Sequence, residues 1–220
     1  MRFTSRAAVL CLLTAAVPID PAHGQGKPFE GTVTFEASGG REDGGTLAYS
    51  IKGRRVRFEP EAGRMPMYMI IDLDAMVMRM VMTGQNMYME MPIPDADSDD
   101  APSSRNAPVN TGRSDQVAGR SCEIWTMEED GRAFEMCVAR DMGVFMQGGG
   151  PMGGRRTPAW QAELRKGGFF PLRVVEAGAG KKPVLLATKI EEKSLDASLF
   201  AVPSGMQKMS MPPGMGGRRP

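Results

Sequence analysis

The feature that most limits how this chain can fold is a train of short runs in which β-branched, aromatic and methionine side chains alternate with polar ones. Each run is closed by Gly, Asp or Pro. A period of two sends successive side chains to opposite faces of a strand, so every run has a face to bury and a face to solvate. Residues 29–36 alternate Thr32, Thr34 and Glu36 against Val33 and Phe35. Residues 46–51 and 54–59 follow around Lys52-Gly53, with Val56 and Phe58 set against Arg55, Arg57 and Glu59. Residues 65–71, 75–82 and 87–91 continue the meander, 121–128 and 132–139 read as a hairpin about Asp130-Gly131, and 169–176 pairs with 184–192. Strands do not alternate with helices, which excludes a doubly wound nucleotide-binding plan. Residues 148–151 lack the Lys-Ser or Lys-Thr that follows a phosphate-binding glycine loop. One segment, 159–166, is rich in helix formers, with Trp160 and Leu164 one turn apart and Gly167-Gly168 as a stop. The expected fold is therefore α+β: a curved antiparallel sheet of about eight strands, an incomplete barrel, wrapped around one or more helices.

The ends carry a different pattern. Arg2 and Arg6 precede the apolar stretch 7–19, and Ala22 and Gly24 are small residues placed for cleavage, so residues 1–24 read as a signal peptide. Residues 25–206 are expected to form one β-rich domain, with flexible insertions near 92–113 and 147–157 and a disordered tail over 207–220. A periplasmic or secreted protein with no transmembrane segment after processing follows. The 27 Lys and Arg residues nearly match 26 Asp and Glu, which speaks against a nucleic-acid-binding chain. Removing the leader takes away His23, the single histidine. Triads with an imidazole base and zinc sites built on imidazole both lose their central group, so the expectation is a protein that is not an enzyme and holds no cofactor.

Cys11 leaves with the leader, and Cys122 and Cys137 remain in one hairpin of a chain bound for an oxidising compartment. Centring that hairpin on the Glu129-Asp130 bond sets the two cysteines directly opposite each other, about 4.5–5.5 Å apart at Cα and within reach of a disulfide. A structural disulfide is expected.

Methionine is the chemical signature of the chain: 20 residues in all, ten of them between Met65 and Met91. A loop over residues 83–86, or a turn at Gly84-Gln85, pairs Met82 with Met87, Met80 with Met89 and Met78 with Met91. The turn near Asp72 to Asp74 sets Met65, Met67 and Met69 opposite Met76, Met78, Met80 or Met82. All ten thioethers then line one face, with Tyr68, Val77, Arg79, Val81, Tyr88 and Glu90 on the other. Three readings fit such a face. It is a core packed against the Trp160 segment, as in a structural envelope protein. It is a surface of Met67, Met69, Met76, Met78, Met80, Met82, Met87, Met89 and Met91 that adapts to a lipid, a lipidated protein or a similar hydrophobic ligand. Or it is a Cu(I) site that uses the thioethers of Met78, Met80 and Met89.

The closing stretch from Leu195 through Phe200, Pro203 and Gly205 to Met206 resembles the motif that ends a family of exported bacterial proteins known as a domain of unknown function. Phe29 to Val33, Tyr49 to Gly53 with Arg57, Tyr88-Met89, and Val117 to Cys122 resemble other parts of that family, so the likeness spans most of residues 29–206. The same order is similar to the outer-membrane lipoprotein carriers. That resemblance implies a curved sheet with an apolar concave face, a carrier role and no catalytic residues.

Overall fold

The computed structural model describes residues 28–38, 45–60, 66–93, 108–129, 131–146, 164, 168–178 and 183–210. Alternation produces strands wherever the sequence carries it: β1 (Glu30–Ala37), β2 (Gly45–Lys52), β3 (Arg55–Pro60), β4 (Met67–Asp72), β5 (Val77–Met82) and β6 (Met87–Pro92) form the first half. The second half comprises β7 (Val109–Val117), β8 (Arg120–Glu129), β9 (Arg132–Ala139), β10 (Phe170–Glu176), β11 (Pro183–Glu192) and β12 (Gln207–Met209). All twelve belong to one open sheet in the order β12-β6-β5-β4-β3-β2-β1-β11-β10-β9-β8-β7. Neighbours are antiparallel except β12, which runs parallel to β6.

This corrects the α+β expectation. The fold is nearly all β, and no helix for the sheet to wrap stands among the elements of the described residues; these include the 3-10 turns Thr83–Gln85 and Ala197–Phe200, and Leu164 is a lone described helical residue. Of the segment 159–166 only Leu164 is described, and it is buried; Trp160 lies outside the described residues. Leu164 shares the interior with the chain that follows β9, where Met142 and Phe145 are fully buried. Phe145 stacks on Tyr49 at 5.3 Å between ring centroids, and the Tyr49 hydroxyl donates to the Val144 carbonyl and accepts from the Met146 N–H. Burial pushes that phenol far above its ordinary pKa, so it stays neutral.

The ring contacts also give the shape of the sheet. β2 and β10 lie three strand spacings apart, about 14 Å across a flat sheet. The Tyr49 and Phe170 rings nevertheless meet at 5.5 Å, so the face that carries them is concave. Val33, Phe35, Leu47, Tyr49, Val56 and Leu185 are buried on that face.

Two expected loops contain strands. β7 covers Val109 to Gly112, inside the expected acidic insertion, while residues 94–107 lie outside the described residues. Its side chains are mostly polar and exposed, so little hydrophobic alternation marked it; it is recruited as an edge by pairing with β8. β12 begins the stretch taken as a disordered tail, and residues 211–220 lie outside the described residues, as do 1–27 and 147–157.

Cys122 and Cys137 form a disulfide with Cα atoms 5.3 Å apart. They are not directly opposed, however. β8 and β9 pair with Glu129 opposite Arg132, which sets Ile124 opposite Cys137 and leaves Cys122 as the diagonal neighbour on the same face. A shift of two residues conserves the face because the side-chain period is two. That face is the convex one, where Asp115 stands opposite Cys122 and Arg173 opposite Cys137, and Arg173 pairs with Asp115 at 2.9 Å.

At Gly31, β1 runs so close to β11 that a Cβ would overlap the Glu191 carbonyl. Gly31→Ala is expected to lower stability by about 1–3 kcal/mol, read by urea unfolding, because neither backbone can yield without breaking the ladder. Thiol titration of the denatured, unreduced protein should find neither Cys122 nor Cys137 free, and replacing both with serine should cost about 2–5 kcal/mol.

Candidate functional site

Strands β4, β5 and β6 build the methionine face from directly paired residues. Met67 faces Met82, which faces Met87; Met69 faces Met80, which faces Met89; Ile71 faces Met78, which faces Met91. The β5–β6 register is the one the spacing predicts, with a four-residue loop in which Asn86 adopts a left-handed backbone at φ 53°. The β4–β5 register lies two residues from the nearer of the two expected ones. Its turn takes up all of Leu73, Asp74, Ala75 and Met76, held by the Asp72 carboxylate, which accepts from the Asp74 and Ala75 N–H groups at 3.1 and 3.0 Å.

Eight of the nine inner positions on these strands are therefore methionine. Met69, Met89 and Met91 are buried, at 8%, 5% and 4% exposure, while Met67, Met78, Met80, Met82 and Met87 are half-buried. Met76 is not on the face: it sits in the turn at φ 51° and is 37% exposed. Met65 lies outside the described residues. Of the three thioethers assigned to copper, Met80 and Met89 are direct partners and Met78 belongs to the next row.

A ninth methionine joins the face. β12 pairs Gln207 with Met87, Lys208 with Tyr88 and Met209 with Met89. The row Met69–Met80–Met89 thus continues to Met209 on a fourth strand. Sequence reasoning missed Met209 because a three-residue strand shows no periodicity; the available signal was the Lys208 charge flanked by Gln207 and Met209. Lys208 donates to Glu90 at 2.7 Å on the opposite face, and Arg79 pairs with the same carboxylate at 2.9 Å. Lys208 and Arg79 hold the Glu90 carboxyl below its usual range. The Asn86 carbonyl accepts from the Gln207 N–H at 3.0 Å, which fixes the strand's entry.

The opposite face of the same strands is also apolar where it is covered. Tyr68, Ile70 and Val81 are buried beneath Leu195 and Phe200, with Leu199, Val202 and Met206 packed around them. The closing segment therefore covers the convex face of the sheet. Arg57 lies 3.5 Å above the Tyr68 ring and donates to the Leu199 carbonyl, joining the segment to β3. Its start is pinned by Glu30, whose carboxylate accepts from Lys52 Nζ at 2.6 Å, the Leu195 N–H at 2.7 Å and the Ser194 hydroxyl at 3.2 Å. Lys52 also donates to the Leu195 carbonyl at 2.7 Å. The Lys52 ammonium, then the Leu195 amide, hold the Glu30 carboxyl down to about 2 from 4.5.

The residues that tie the closing segment to the sheet, Glu30, Lys52, Arg57 and Leu195, are among those on which the sequence resemblance rests. The model of a domain-of-unknown-function family matches residues 29–206. The chain belongs to the DUF4412 family. No curated protein matches it. Among solved structures, an uncharacterized conserved protein from Thermus thermophilus is 12% identical with a TM-score of 0.49, over 83% of this chain and 90% of that one. PNGF-II, in its P21 crystal form, is 11% identical with a TM-score of 0.49, over 82% of this chain but only 32% of that one. Among the described residues of this DUF4412 chain, no group of three or more His, Cys, Asp or Glu side chains is placed to hold a metal ion. Nor is any described helix long and apolar enough to cross a membrane.

Because its pKa is depressed, the Glu30 carboxylate stabilises the fold above pH 4.5, and that contribution is lost as the pH falls from 4.5 through about 2. Thermal melts across this range should therefore show a loss of stability toward acid that is shallower in Glu30→Gln, with the variant already less stable than the parent at neutral pH.

Proposed function

We propose that this protein is an exported, non-enzymatic binding or carrier protein that presents its methionine face to the acyl chain of a lipid or a lipidated protein. The observation that carries this reading is the contrast between the two faces of β4–β6. Both bury apolar side chains, yet methionine fills eight of nine positions on one and none on the other. Burial alone is served by Tyr, Ile and Val, as the convex face demonstrates. Confining methionine to one face adds a property those residues lack: an unbranched, polarisable side chain that repacks around apolar partners of varied shape. Half-burial of five of the eight leaves them reachable.

The resemblance to lipoprotein carriers points the same way, and the signal-peptide pattern of residues 1–24 supports export. Two features support a non-catalytic role. Without its leader the chain has no histidine. Every described carboxyl with a resolved pKa shift, including Glu30, Glu90, Asp115, Glu123, Glu191 and Asp196, is shifted down, away from the range of a general acid at neutral pH.

Titration with a fluorescent fatty acid tests the reading, together with native mass spectrometry of the protein purified from its own envelope. Binding should survive Met78→Leu combined with Met80→Leu and Met89→Leu, since such swaps usually cost under about 1.5 kcal/mol each. It should fall sharply in Met80→Glu, which places a charge in the centre of the face. No uptake by the parent, together with an empty protein from the envelope, would overturn it.

A further inference from the structure

A lipid-binding face draws on the volume and flexibility of methionine but makes no use of its sulfur. We propose that Met69, Met80, Met89 and Met209 form a binding site for Cu(I). These four residues are brought into one row by β4, β5, β6 and β12, each directly paired with the next. Adjacent strands lie about 4.8 Å apart and methionine side chains are flexible, so three neighbouring sulfurs, those of Met80 and Met89 with Met69 or Met209, can turn onto one ion without moving the backbone.

The donor set selects the metal. Thioethers are neutral, soft ligands that suit Cu(I) and offer little to Mg, Ca or Zn. No charged donor competes at the same place: the inner positions of β4, β5, β6 and β12 are methionine, Ile71 and Gln207, and Gln207 stands in a neighbouring row. Of the charged groups of these strands, Asp72 holds the β4–β5 turn, and Arg79, Glu90 and Lys208 are tied to one another on the far side of the sheet. A monovalent ion with low charge density is also the cation that an apolar face accommodates at least cost.

The row combines depth with access, and all four of its places are methionine. Met69 and Met89 are buried, whereas Met80 and Met209 are half-buried, and Met209 lies on the edge strand where an ion or its donor protein can approach. In the row on one side Gln207 takes the fourth place, and in the row on the other Ile71 takes the first. The Lys208–Glu90 pair therefore has a role in the site although it faces away from it: it holds β12 against β6 and keeps Met209 in line.

The experiment is an anaerobic competition for Cu(I) between the full mature protein and a chromophoric Cu(I) chelator, with ascorbate as reductant so that the buried disulfide stays intact. The parent should withdraw one Cu(I) per chain. Met80→Leu with Met89→Leu should weaken binding by about a hundredfold or more, Met209→Leu by about tenfold, and Met76→Leu, in the turn and off the face, not at all. X-ray absorption of the loaded parent should show a first shell of sulfur alone. A parent that leaves Cu(I) on the chelator, a double leucine variant that competes as well as the parent, or a shell of nitrogen or oxygen donors would each overturn the proposal. Fatty-acid uptake by the same double variant reports on the lipid reading separately: its retention alongside loss of Cu(I) leaves both proposals standing, and its absence in the parent removes the lipid reading alone.

Discussion

A strand sends alternate side chains to opposite faces, and where both faces are covered it carries two interiors at once. β4, β5 and β6 do this, and the remaining architecture depends on it. The convex interior, Tyr68, Ile70 and Val81, is sealed by the returning C-terminal segment through Leu195 and Phe200. The concave one is the methionine grid. Because each side is formed by the alternate residues of the same three strands, a slip of one residue in any of them would exchange the two interiors. Such a slip would bury Arg79 and Glu90 among thioethers, a placement that would strand charge in an apolar setting.

The closing segment is held by charge as well as by apolar contact. Glu30 gathers Lys52, Ser194 and the Leu195 amide at the point where the chain leaves β11, and Arg57 takes the Leu199 carbonyl further along. Lys208 then docks β12 on Glu90. These contacts connect β1, β2 and β3 to the far edge of the sheet, so the geometry of the methionine face is set partly by groups on the other side of it. The opposite edge is secured differently, by the Cys122–Cys137 disulfide beneath the Arg173–Asp115 pair and by a polar outer strand, β7.

Membership of DUF4412 accounts for the extent of the domain, residues 29–206, and for the closing motif. The methionine load lies in β4–β6 and β12. The two functional proposals divide that load by property. One depends on how methionine packs and the other on its lone pair, so substitution by leucine separates them.

Most strands, the side of the sheet on which the methionines gather, the β5–β6 register and the pairing of the two cysteines were determined by the sequence alone, because they follow from a local period of two and from which residues are apolar. Tertiary structure decided the rest. The β4–β5 and β8–β9 registers each lie two residues from the nearest expected ones, since turn length and hydrogen bonding set register while alternation sets only the face. Met142 and Phe145 enter the interior beside Leu164 from the stretch after β9, which carries no strand or helix period to mark it. Met209 enters the site through a parallel pairing of three residues, too short for any periodicity to announce. That pairing is fixed by Lys208 and Gln207 on Glu90 and Asn86, partners far removed along the chain that only the folded sheet brings together.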